Sequence, residues 1–174
     1  YGTAFIDITD STSPIYLGKL PTSTVDSSWR DMKVYNDHVY IVSEAQEHGL
    51  QVFNLTKLRG VESKQVFSAD YIDNSFGNAH NIAINEESGY AYIAGAGNKG
   101  IYAFNLSNPL APTSELEAPE FGYSHDAQIV IYKGPDTDHV GKEIYFGSNE
   151  NRVDIIDVTN KLEPKLISTF LYDH

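Results

Sequence analysis

One phrase recurs four times along this chain, and it restricts the fold more than any other feature. It reads Gly-Thr-Ala-Phe-Ile-Asp-Ile-Thr at 2–9 and Gly-Leu-Gln-Val-Phe-Asn-Leu-Thr at 49–56. It returns as Gly-Ile-Tyr-Ala-Phe-Asn-Leu-Ser at 100–107 and Arg-Val-Asp-Ile-Ile-Asp-Val-Thr at 152–159. Anchored on Asp7, Asn54, Asn105 and Asp157, the spacings are 47, 51 and 52 residues. Nearby prolines (Pro14, Pro109, Pro112 and Pro164) stop each strand from extending, because proline gives no backbone donor. A second phrase lies between the copies: Arg30-Asp31-Met32-Lys33-Val34, His80-Asn81-Ile82-Ala83-Ile84 and His125-Asp126-Ala127-Gln128-Ile129. A third, at 38–43, 90–95 and 143–148, is a short run rich in β-formers.

Each period therefore holds four short strands. In the central unit they fall near 80–85, 89–95, 100–106 and 113–118, with turn chemistry at Glu87-Ser88-Gly89 and Asn98-Lys99-Gly100. No ten-residue stretch shows capped helical periodicity. Four antiparallel strands per repeat of this length make the blade of a β-propeller. The expected organisation is the end of one blade at about 1–28, blades at 29–78, 79–123 and 124–173, and the start of another at His174. That is about three and a half blades, and a propeller closes with four to eight. The expectation is a portion of a larger propeller, completed by its remaining blades or by another chain and not stable as an isolated monomer. A small complete β-domain is the alternative.

Net charge is −12, which disfavours phosphate-rich partners such as nucleic acid and anionic membranes. No apolar run is long enough for a membrane helix. Cysteine is absent, so disulfides, thiolate metal sites and a cysteine nucleophile are excluded within this sequence.

Ser28-Trp29-Arg30-Asp31-Met32-Lys33-Val34-Tyr35, Ser43-Glu44-Ala45 and His48-Gly49-Leu50-Gln51-Val52-Phe53 together resemble the choice-of-anchor B family, built of LVIVD repeats. Ala79-His80-Asn81-Ile82 and Ser124-His125-Asp126-Ala127-Gln128 fit the same pattern. The resemblance implies a β-propeller of secreted or surface-attached bacterial proteins, with members continuing past both ends of this sequence. It implies no reaction. Asn54 and Asn105 depart from the family's commoner Asp.

His80, His125 and His174 share one place, the start of the first strand, which lines a propeller's channel. Arg30 stands there in the preceding unit, and Asp31, Asn81 and Asp126 follow one step later. Converging imidazoles suit a divalent metal such as zinc. The competing reading has each ring bonded to the neighbouring blade as a structural lock. Histidine and the next residue point to opposite sides of a strand, so they would not share one metal. Asp136-Thr137-Asp138 resembles the start of a calcium loop, but the spacing beyond it is not that of an EF-hand; a solvated hairpin is the alternative. Glu44, Glu47 and His48 share a loop where acid–base work would be conceivable. Asn54-Leu55-Thr56 and Asn105-Leu106-Ser107 match the glycosylation sequon, with a capping or turn role as the alternative. Phe5, Phe53, Phe104 and Ile155 are expected between sheets. No nucleophile elbow, P-loop or dinucleotide fingerprint is present. The functional expectation is a non-enzymatic secreted or cell-surface interaction module with a protein or glycan ligand. The alternative is a metal-dependent hydrolase at the channel mouth.

Overall fold

The turn residues cut the chain into runs too short for helices, and the β-branched and aromatic residues between them pair as strands. The computed structural model describes residues 1–172. It is 48% strand and 5% helix. The first sheet contains β1 (Gly2–Asp7), β2 (Ile15–Pro21) and β6 (Gln65–Val66), in the order β1-β2-β6. The second contains β3 (Arg30–Tyr35), β4 (His38–Ser43), β5 (Leu50–Asn54) and β7 (Tyr71–Asp73). The third contains β8 (Asn81–Asn85), β9 (Tyr90–Ala94), β10 (Ile101–Asn105) and β11 (Thr113–Ala118). The fourth contains β12 (Asp126–Ile131), β13 (Glu143–Ser148), β14 (Arg152–Asp157) and β15 (Lys165–Leu171). The last three are four-stranded antiparallel meanders, the form of propeller blades. One departure from the expected divisions is β6, within 29–78, which joins the first sheet by parallel pairing with β2.

The sheets stack face to face through three apolar layers. Phe5, Leu17 and Leu20 meet Val39, Ile41 and Phe53, with the Phe5 and Phe53 rings 5.0 Å apart. Tyr40, Val42 and Val52 meet Ile82, Ile93 and Phe104. Ala83, Tyr92 and Ala103 meet Ile129, Tyr145 and Ile156. Adjacent strand residues face opposite layers, which is why the second and third sheets each supply two of them.

A bulge recurs where the strand of the repeated phrase meets the strand that follows it: between Phe5 and Ile6, Ala103 and Phe104, and Ile155 and Ile156. Asp7, Asn54, Asn105 and Asp157 each accept the N–H two residues on, from Thr9, Thr56, Ser107 and Thr159. The repeated residue is thus a turn anchor that Asp and Asn serve equally.

The fourth sheet departs from the lettering in one respect. Asn54 pairs with His38 and Asn105 with Tyr90, but Asp157 pairs with Ile144 rather than Glu143. A one-residue shift reverses the faces of a strand. Tyr145 therefore points back at the third sheet and packs on Tyr92, centroids 5.9 Å apart. Ile156 fills the core there, whereas Ile155, expected between sheets, is only half-buried on the opposite face.

Candidate functional site

The inner strands β3, β8 and β12 lie side by side, β8 in the middle. The Asp31 carboxylate crosses from β3 to accept the Ile82 N–H at 3.1 Å and also holds Lys33 at 2.7 Å. A shallow space of about 290 Å³ runs along these strands, bordered by Lys33, Val34, Ala83, Ala127 and Gln128.

At their N-terminal end the structure brings His80 and His125 together, ring centroids 4.1 Å apart and tilted by 46°. Both backbone N–H groups donate to the second strand of their own sheet, His80 to Ala94 and His125 to Ser148. The equal backbone attachment carries the two side chains to the same place on neighbouring sheets. Gly95 permits the approach: at φ +69°, its α-carbon would place a Cβ only 2.5 Å from the His80 Cβ. His80 Nδ1 donates to Glu44 Oε1 at 2.6 Å across the gap from the second sheet. Since the carboxylate accepts, the proton sits on Nδ1 and Nε2 remains open. His174, the third member of the series, lies outside the described residues.

Arg30 occupies the corresponding place on β3 but turns aside. Its Nη1 lies 2.9 Å from His48 Nε2. His48 Nδ1 lies 3.0 Å from the Gly49 carbonyl, which can only accept, so Nδ1 carries the proton and Nε2 accepts from Arg30. Burial pushes the His48 pKa down, and the Arg30 charge adds to that; burial also lowers Arg30. His48 is therefore a buried neutral imidazole. Glu44 bonds His80 rather than His48, and Glu47 is an exposed residue at φ +56°. Asn81 is half-buried at the start of β8. Asp126 is exposed and accepts the adjacent Ala127 N–H.

Trp29 completes this end of the molecule, a residue that the sequence pattern did not single out for a role. Its carbonyl accepts from Glu44 N at 3.2 Å and Ser43 Oγ at 2.9 Å, while its side chain remains 62% exposed. Its ring lies 5.6 Å from His80, so Trp29, His80 and His125 form a row crossing three sheets. The only signal was position, one residue before the repeated register. Beside His125 is a concavity of about 480 Å³ bordered by Ser148, Asn149, Glu150 and Tyr172.

The Asp136 loop folds as a tight turn. Asp136 Oδ1 accepts the Asp138 N–H at 3.1 Å, and the Asp136 carbonyl accepts from His139 N. Among the described residues, no three His, Cys, Asp or Glu side chains gather in a way that would hold a metal ion. Among the same residues, no helix is long and apolar enough to cross a membrane.

Residues 76–115 match the LVIVD repeat model. The matched segment runs from Phe76 through β8, β9 and β10 into β11, almost one complete sheet of the stack. The match to the LVIVD repeat thus spans three strands of one four-stranded sheet and the start of the fourth. No curated protein and no solved structure gives a match.

Proposed function

We propose that this chain is a non-enzymatic interaction module of a choice-of-anchor B type protein, secreted or held at a bacterial surface. Its stack is continued by further blades of the same propeller or by a completing chain. Exposed apolar residues at the two ends of the stack, Ile6 and Ile15 on the first sheet and Phe170 and Leu171 on the last, support that continuation. The observation that carries the reading is the engagement of the polar groups at the mouth. Arg30 is tied to His48, His80 to Glu44 and Asp31 to the Ile82 backbone. The last two bonds join the second sheet to the third and the first braces the second sheet internally; groups so committed serve as a scaffold, and the surface they fix is available to a protein or glycan ligand.

A metal-dependent hydrolase is the second reading, favoured by one detail. The Glu44–His80 bond resembles the outer-shell carboxylate bond that orients a metal-ligating histidine. His80 Nε2 and a ring nitrogen of His125 would be its ligands, and zinc would supply Lewis acidity there. Metal analysis of the intact protein, with hydrolase assays before and after chelation, separates the two. Metal far below one equivalent and no chelator-sensitive turnover are expected; stoichiometric zinc with chelator-sensitive hydrolysis would replace the module with an enzyme.

A further inference from the structure

We infer that the Trp29–His80–His125 row, with the Glu44 carboxylate beside it, receives an arginine side chain of a partner protein. The inference rests on the interaction-module reading and names the chemistry of its ligand. Trp29 is held by its backbone while its indole stays in solvent, so the aromatic face is presented without reorganisation. Such a face attracts cations, and tryptophan does so best of the aromatic residues.

The surrounding charge selects the same class of ligand. The chain carries net charge −12. Glu44 reaches the His80 ring and Glu150 borders the concavity beside His125, which places both carboxylates at this rim. Arg30, the cation at the same strand position, is drawn off onto His48. Glu44 uses Oε1 for His80 and leaves its other oxygen to accept. A guanidinium is planar and weakly hydrated, so it stacks on an indole while one edge donates to a carboxylate; a lysine ammonium matches only the charge.

The test uses the full chain and its single tryptophan, whose fluorescence reports directly on Trp29. The probe is an eight-residue peptide with one central arginine, compared with the same peptide carrying citrulline, an uncharged isostere. Lysine and acidic versions and a panel of neutral oligosaccharides complete the set. Saturable quenching by the arginine peptide, at least about tenfold weaker with citrulline, is expected. Glu44→Gln, which can still accept from His80, should weaken binding several-fold. Trp29→Ala, followed by calorimetry, should weaken it about tenfold. Trp29 is exposed, so that variant tests binding rather than folding. Equal binding of arginine and citrulline, or no binding of the arginine peptide, overturns the inference. Binding of only an oligosaccharide or the acidic peptide also overturns it but leaves the module reading standing. Chelator-sensitive turnover would instead remove the module reading itself.

Discussion

Glu143 holds the Lys161 ammonium at 2.8 Å with both side chains almost wholly out of water, 5% and 10% exposed. The same carboxylate accepts from Asn85 Nδ2 at 2.7 Å, at the end of β8, and from Ser88 Oγ at 2.5 Å, on the loop that follows. Lys161 also sits 4.2 Å from the centroid of the Tyr90 ring and donates to the Val158 carbonyl. One ion pair on the fourth sheet thus fastens it to the third.

Removing one member of such a pair leaves the other charge buried and unpaired. Glu143→Ala is expected to cost about 3–5 kcal/mol in denaturant unfolding. Glu143→Gln should cost less, because an amide oxygen still accepts from Asn85 and Ser88. The double variant Glu143→Leu/Lys161→Met should recover much of the loss, since buried pairs often exchange for apolar groups at little net cost. Equal and additive losses from the two sites would show that the pair is not coupled.

The repeat spacing exposed the sheets because each blade needs the same turn anchor at the same place. The repeated phrase that opens at Arg30 became β3 (Arg30–Tyr35), and the strand expected near 80–85 stands at Asn81–Asn85. The shift in β13 was not legible, because Tyr145 continues the lettering set by Tyr40 and Tyr92 while facing the other way. At the mouth, the shared register of His80 and His125 was readable, but their partners were not. Glu44 and His80 are 36 positions apart and meet only because neighbouring sheets stack. Glu143 was invisible for the same reason: Asn85 and Lys161 approach it from two different sheets.

The turn anchor gives a substitution pair with opposite outcomes. Asn54 Oδ1 accepts from Thr56 N at 2.9 Å and Thr56 Oγ1 at 2.7 Å, opening the short 3-10 turn Leu55–Leu58. Asn54→Ala should destabilise by about 1 kcal/mol, the usual worth of such a cap. Asn54→Asp should be nearly neutral, since Asp7 and Asp157 make the same bond in other repeats. Thermal unfolding of both variants decides it, and a large loss with Asp would mean the amide nitrogen matters.

Gly95 controls the imidazole row from behind. Its positive φ and the 2.5 Å approach of a hypothetical Cβ to His80 mean that Gly95→Ala must displace the ring or the backbone. The expected result is loss of the His80–His125 contact, read as separated imidazole shifts in NMR spectra. Gly97, also at positive φ but with open space around it, is the control. Gly97→Ala should leave those shifts in place while costing some stability through its backbone. His80→Ala should cost about 1–2 kcal/mol through the lost Glu44 bond and ring contact. If its role is structural, metal content will not change.

His48 gives the stability a pH dependence whose sign follows from its surroundings. Burial lowers its folded pKa below the ordinary 6.5, and Arg30 contributes in the same direction. Below that ordinary value the unfolded chain takes up a proton that the folded chain refuses, so unfolding is favoured. Stability should therefore fall as pH drops through the ordinary imidazole range and level off only once the folded ring itself protonates. His48→Gln retains an acceptor for Arg30 and a donor for the Gly49 carbonyl but does not titrate. It should flatten this part of the profile while costing only a modest amount at pH 8. Urea unfolding of wild type and variant at half-unit steps from pH 8 to pH 5 measures the difference directly. Parallel profiles would mean that the imidazole takes up its proton as readily in the folded chain as in the unfolded one, and the assignment of Nε2 as acceptor from Arg30 would fail with it.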